Sequence, residues 1–100
     1  MYKYNLMKTK LPIYCPSCTN TLLVTQLSCV DCETSVIGKF NLPVLLQITE
    51  EEQNFILQFV LASGSLKEMA SQMGNSYPTI RNKLDEIIEK IQILNKSIDA

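Results

Sequence analysis

"MGNSYPTIRNKL", Met73 to Leu84, decides how this chain is read. Gly74 is a natural left-handed stop for one helix, and Ser76 is a natural N-cap for the next. Pro78 then falls in a first helical turn, where its missing N–H breaks no intrahelical bond. The stretch is a tight turn running into a new helix that carries Arg81, Asn82 and Lys83 near its start. A helix-turn-helix needs a small residue where its two helices cross, a glycine in the turn, and an apolar residue on the second helix facing the first. Ala70, Gly74 and Ile80 supply these at the usual offsets, with Thr79 just before Ile80. Asn75 departs from the pattern, because an apolar residue is commoner at that point of the turn.

Working outward, residues 49–98 read as a helical domain. Thr49 followed by Glu52 is a capping-box pattern, and Glu50, Glu51 and Glu52 sit where a helix dipole favours negative charge. Phe55, Ile56, Phe59 and Val60 form one apolar stripe, and Gly64 is the expected stop. Ser65 with Glu68 repeats the capping box, and Leu66, Met69, Ala70 and Met73 make a second, shorter stripe. The third helix is predicted from about Tyr77 to the mid-90s. Ile80, Leu84, Ile87, Ile91, Leu94 and Ile98 recur along it in alternating steps of four and three, with Ile88 broadening the row. That is a heptad seam. A three-helix core needs only its first part, so Leu84, Ile87, Ile91, Leu94 and Ile98 are expected to meet a second copy of the chain as a two-fold dimer. The competing arrangement packs the same row on the chain's own ribbon or on "LPVLLQI".

Upstream of Asn41-Leu42-Pro43 the character changes. Short β-prone runs, "LPIY", "TLLVTQL" and "SVIGKF", replace the helical period. All four cysteines lie here: "CPSC" (Cys15, Cys18) and "CVDC" (Cys29, Cys32), with ten residues between the pairs. Two residues between cysteines let a tight turn aim both sulfurs at one point, with Zn–S at about 2.3 Å. Four thiolates close a tetrahedral site with no open position, which makes the metal structural and not catalytic. One Zn²⁺ per chain, held by Cys15, Cys18, Cys29 and Cys32, is the expectation for residues 11–41; iron in the same S4 site and paired disulfides are the alternatives. A thioredoxin-like pair needs a βαβ context that is missing. Zinc knuckles usually place glycine just after the second cysteine; Thr19-Asn20 and Glu33-Thr34 stand there instead. Asn20 tolerates the left-handed region, whereas the second turn has no such residue.

Composition narrows the function. No window approaches 18 apolar residues and no apolar signal core follows "MYKYNLMKTK", so a cytoplasmic protein without a membrane segment is expected. There is no histidine, no glycine-rich phosphate loop and no other catalytic constellation, so the protein is not expected to be an enzyme. The formal charge is −1, and residues 50–100 hold five basic against eight acidic side chains, a net of −3. Most DNA-binding domains carry a basic footprint; this one does not.

"CPSC", "CVDC", the "GKFNLP" that leaves the ribbon, and "LKEMASQMGNSYPTIRNKLDEII" together resemble a small prokaryotic family labelled a domain of unknown function. In that family a zinc ribbon precedes a helix-turn-helix similar to region 4 of sigma factors. The resemblance covers about residues 12–88 and implies a DNA-binding or transcription-associated protein.

The fold class read from the residues is α+β: a small N-terminal β zinc ribbon, then an all-α helix-turn-helix domain with a long C-terminal helix. Double-stranded DNA is the expected partner. Ser76, Tyr77, Thr79, Arg81 and Asn82 lie at the helix end that enters a major groove, where Arg suits guanine and Asn suits adenine. Lys67 and Lys83 are placed to reach phosphates. The plainer reading makes Arg81 and Lys83 solvated surface, Arg81 pairing with Asp85 at i,i+4. The rival function is an interaction module that contacts RNA polymerase or a sigma-factor partner without specific DNA binding; a thiol-based metal or redox sensor is a third.

Overall fold

The computed structural model describes residues 10–99, with side chains through residue 96. The architecture is α+β, and the chain divides into two compact units at Pro43 and Val44.

The first unit is a two-stranded antiparallel ribbon, β1 (Val24–Ser28) and β2 (Ser35–Phe40). Leu27 pairs with Val36 and Gln26 with Ile37, and a bulge interrupts the register before Val24 meets Phe40. Gly38 lies in the bulged stretch because the Phe40 ring folds back over it: a Cβ there would lie 2.7 Å from the ring. The expected "LPIY" strand shrinks to a single bridge between Tyr14 and Thr21. Among the described residues from Lys10 to Asn41, none is buried. Ile37 is 75% exposed and Leu27 56%. The described residues of the ribbon up to Asn41 form no buried core, so something other than burial must hold them.

The second unit opens with a short 3₁₀ turn (Val44–Leu46), followed by α1 (Glu50–Leu61), α2 (Leu66–Met73) and α3 (Tyr77–Asp99). The capping box at Thr49 forms in full: Glu52 N–H donates to Thr49 Oγ1 at 3.1 Å, and Thr49 N–H donates to Glu52 Oε1 at 2.8 Å. At Ser65 only half of the expected box forms. Ser65 Oγ accepts from Glu68 N–H at 3.1 Å, but the Ser65 N–H already donates to Ala62 O, and Glu68 instead accepts from Gln72. α1 ends at Ala62, and both Ser63 and Gly64 take positive φ before α2 starts, so Gly64 shares the expected stop with a serine.

Gly74 caps α2 in the left-handed region at φ 69°. Its N–H and that of Asn75 both donate to Ala70 O, which closes the last turn. Ser76 then accepts from Thr79 N–H at 3.3 Å and α3 begins, with Pro78 inside its first turn.

The core of this unit is Phe55, Ala62, Leu66, Met69, Ala70, Ile80 and Ile87, with Ile56, Phe59, Leu84 and Ile91 packed against it. Two residues assigned to apolar stripes fall outside it: Val60 is 64% exposed and Met73 43%. Three helices cannot surround one another, and these positions on α1 and α2 stay open to solvent.

Candidate nucleic-acid interface and metal centre

The two cysteine turns are built alike. Cys15 N–H donates to Asn20 O and Thr19 N–H to Cys15 O, both at 2.8 Å; Cys29 N–H donates to Thr34 O and Glu33 N–H to Cys29 O at 2.8 and 2.9 Å. Each turn places the residue after its second cysteine in the left-handed region, Thr19 at φ 62° and Glu33 at φ 63°. The left-handed residue is Thr19 and not the tolerant Asn20, and the second turn manages without glycine or asparagine. An L-residue there costs about 1–2 kcal/mol, so the tertiary arrangement imposes both turns against local preference.

The four cysteines form no disulfide among the described residues, and Cys15 hydrogen-bonds with Cys18 and Cys32 with Cys29. The Cys18 N–H and then the Ser17 N–H donate to the Cys15 sulfur, which holds its thiol below the ordinary range. Cys32 is lowered chiefly by the Thr34 hydroxyl, 3.0 Å away, then by the Thr34 N–H and the Cys29 thiol. Both shifts favour the thiolate, the form that binds metal. The donor set, the matched turns and the coreless ribbon all suit zinc. The structure gathers two pairs and not a closed cage: among the described residues, no three Cys, His, Asp or Glu side chains meet at one point.

On α3 the candidate DNA contacts separate into two groups. Tyr77, Arg81 and Asn82 are exposed: at helical spacing Asn82 points opposite Ile80, Arg81 flanks it, and Tyr77 lies one turn before it. Arg81 Nη2 lies 3.4 Å from Asp85 Oδ1, the i,i+4 pair that the sequence anticipates. Thr79 and Lys83 instead line a cleft facing α1, and Thr79 Oγ1 lies 2.8 Å from Ser76 Oγ. Lys83, assigned to a phosphate, has its Nζ 3.2 Å from Glu51 Oε1. Lys67 is exposed near the start of α2.

A second cross-helix pair was not anticipated. Lys90 Nζ reaches Glu52 Oε1 at 2.9 Å, so the capping-box glutamate also ties α1 to the middle of α3. Partial burial works to raise the Glu52 carboxyl, but the bonds from Lys90 and Thr49 outweigh it and hold it below its ordinary value. Neither pair is legible from local spacing, since the partners lie 32 and 38 residues apart.

The expected dimer seam meets the chain's own core. Ile87 is fully buried within the unit, and Leu84 and Ile91 pack on the same cluster. The 3₁₀ turn Val44–Leu46 also packs against α3 and lies within the "LPVLLQI" segment of the competing arrangement. Leu94 remains half-buried, and the side chain of Ile98 lies outside the described residues.

Two family models match the chain: "DUF2089 zinc ribbon" over residues 15–45, and "Domain of unknown function (DUF2089)-HTH" over residues 48–94. Comparison with the curated proteins and with the solved structures gives no match. No helix of the described residues is long and apolar enough to cross a membrane.

Proposed function

The chain belongs to the DUF2089 family, and from that premise we propose that it is a DNA-binding transcriptional regulator working in the cytoplasm without enzymatic activity. The observation that carries this reading is the start of α3. Behind the left-handed Gly74 turn, Ile80 and Ile87 are buried while Tyr77, Arg81 and Asn82 face solvent. A helix held from behind and bare in front is what major-groove entry requires. Bidentate contacts from Arg81 to guanine and from Asn82 to adenine supply sequence preference.

One Zn²⁺ per chain, bound by Cys15, Cys18, Cys29 and Cys32, joins the two thiol pairs and replaces the core that the ribbon lacks. Its role is structural, because four thiolates leave no open coordination position. Two copies of the chain present two reading helices to two half-sites. With Leu84, Ile87 and Ile91 engaged inside the protomer, their seam is confined to the end of α3 from Leu94 onward.

A second reading has its own support. Three of the five basic side chains in residues 50–100 are already engaged by carboxylates, at 3.4, 3.2 and 2.9 Å. That leaves little free charge for phosphates and favours a module that contacts RNA polymerase or a sigma-factor partner. Selection of bound duplexes from a random library with zinc-loaded protein separates the two. Enrichment of one sequence supports the regulator; an unenriched pool supports the interaction module.

A further inference from the structure

We propose that the cleft between α1, the Gly74 turn and the start of α3 is a binding site for a free apolar α-amino acid. The cleft has a volume of about 220 Å³. Its floor is Phe55 and Ile80, both almost fully buried, with the half-exposed Met73 as one wall. Its rim is the Lys83–Glu51 pair, 3.2 Å apart. Asn75, standing where a helix-turn-helix more commonly places an apolar side chain, also lines the cleft.

Size and charge select the ligand. Pockets for drug-sized molecules run from about 300 to 1,000 Å³, so this one suits something smaller. At roughly 30 Å³ per water it holds about seven waters, which corresponds to a compact molecule of roughly seven to ten non-hydrogen atoms. The floor asks for an aliphatic or thioether side chain. The rim offers one cation and one anion side by side, which rejects a net charge and accepts a zwitterion: carboxylate to Lys83, ammonium to Glu51. Glu51 is 81% exposed in its side chain, so opening the existing pair costs little. The amides of Asn54 and Asn75, which also line the cleft, supply further donors and acceptors. An occupant touches the turn and the first residues of α3, the end that carries Arg81 and Asn82.

Calorimetric titration of the full zinc-loaded chain with L-leucine, L-isoleucine and L-methionine tests this. Glycine, 4-methylpentanoate and isoamylamine are the comparisons. At least one of the three amino acids should bind one per chain. It should bind at least tenfold more tightly than glycine, which lacks the side chain, and than either analogue, which lacks one charge. Glu51→Gln and Lys83→Gln should each weaken binding tenfold or more with an unchanged far-ultraviolet dichroism spectrum. Asn75→Leu should fill the cleft and abolish binding while raising the melting temperature. The proposal is overturned if none of the three amino acids binds, if glycine binds as tightly, or if Lys83→Gln and Asn75→Leu bind like the unmodified chain. No DNA is present in the assay, so a negative result leaves the regulator reading standing and a positive one does not establish it.

Discussion

Glu52 ties the N-terminal cap of α1 to the middle of α3. Its Oε1 accepts from Thr49 N–H at 2.8 Å and from Lys90 Nζ at 2.9 Å, and its side chain is only 16% exposed. Glu52→Ala removes both bonds. The neutral-donor bond contributes about 1 kcal/mol net. The bond to Lys90, whose side chain is 35% exposed, contributes about 1 kcal/mol, toward the low end for a charged group because solvent screens it. The sum of about 2 kcal/mol corresponds to a fall of roughly 8–16 °C in melting temperature for a domain of this size. Thermal unfolding followed by helical dichroism measures it, and a double-mutant cycle with Lys90→Met should return a coupling of about 1 kcal/mol. The pH dependence has a definite sign. The carboxyl is depressed in the folded state, so its contribution is present above the ordinary carboxylate pKa and is lost as pH falls through the folded value. Between about pH 6 and about pH 3 the unmodified chain should therefore lose more stability than Glu52→Ala does. A drop of less than about 3 °C on substitution, the effect of an ordinary surface change, would refute the reasoning.

Other outcomes follow from the same geometry. Chelation should release one zinc per chain and unfold the ribbon, since none of its described residues up to Asn41 is buried, while the helical dichroism of residues 44–99 persists; native mass spectrometry and dichroism together check this. Thr19→Gly and Glu33→Gly should each stabilise the metal-loaded ribbon by up to about 1 kcal/mol, because glycine adopts the left-handed φ of 62° and 63° without a steric penalty; competition with a zinc chelator reads the gain. Ile87→Ala should cost about 2–5 kcal/mol and lower the melting temperature equally at every protein concentration, since Ile87 belongs to the protomer's own core. Leu94→Ala should instead shift a dimer toward monomer in light scattering, with little change in the melting temperature of the monomer.

Much of the helical unit was legible because its signals are local. Thr49 with Glu52, Gly74, and Ser76 each fix a helix boundary within four residues of themselves, and all three act as their chemistry requires. The reading was weaker wherever the outcome depended on what lies opposite. Val60 and Met73 have the right spacing for a core but stay exposed. Lys83 and Lys90 have obvious partners one helical turn away, yet they reach across to α1. The heptad row on α3 specifies an apolar face without saying whose surface covers it, and at Ile87 the cover is the chain's own core. In the ribbon, side-chain preference alone favours Asn20 for a left-handed position. The turn hydrogen bonds instead demand it one residue after the second cysteine, whatever stands there.

The most direct test of the regulator reading is the affinity of the zinc-loaded chain for a selected duplex and for a scrambled one, measured across salt concentration with and without Arg81→Ala. For a groove-reading helix, log affinity should fall linearly with log salt, by about 0.9 for each phosphate neutralised. Arg81→Ala should cost about 1–3 kcal/mol on the selected duplex and leave the scrambled one nearly unchanged. Absence of binding to either duplex at low salt, or an equal loss on both, would contradict the regulator reading.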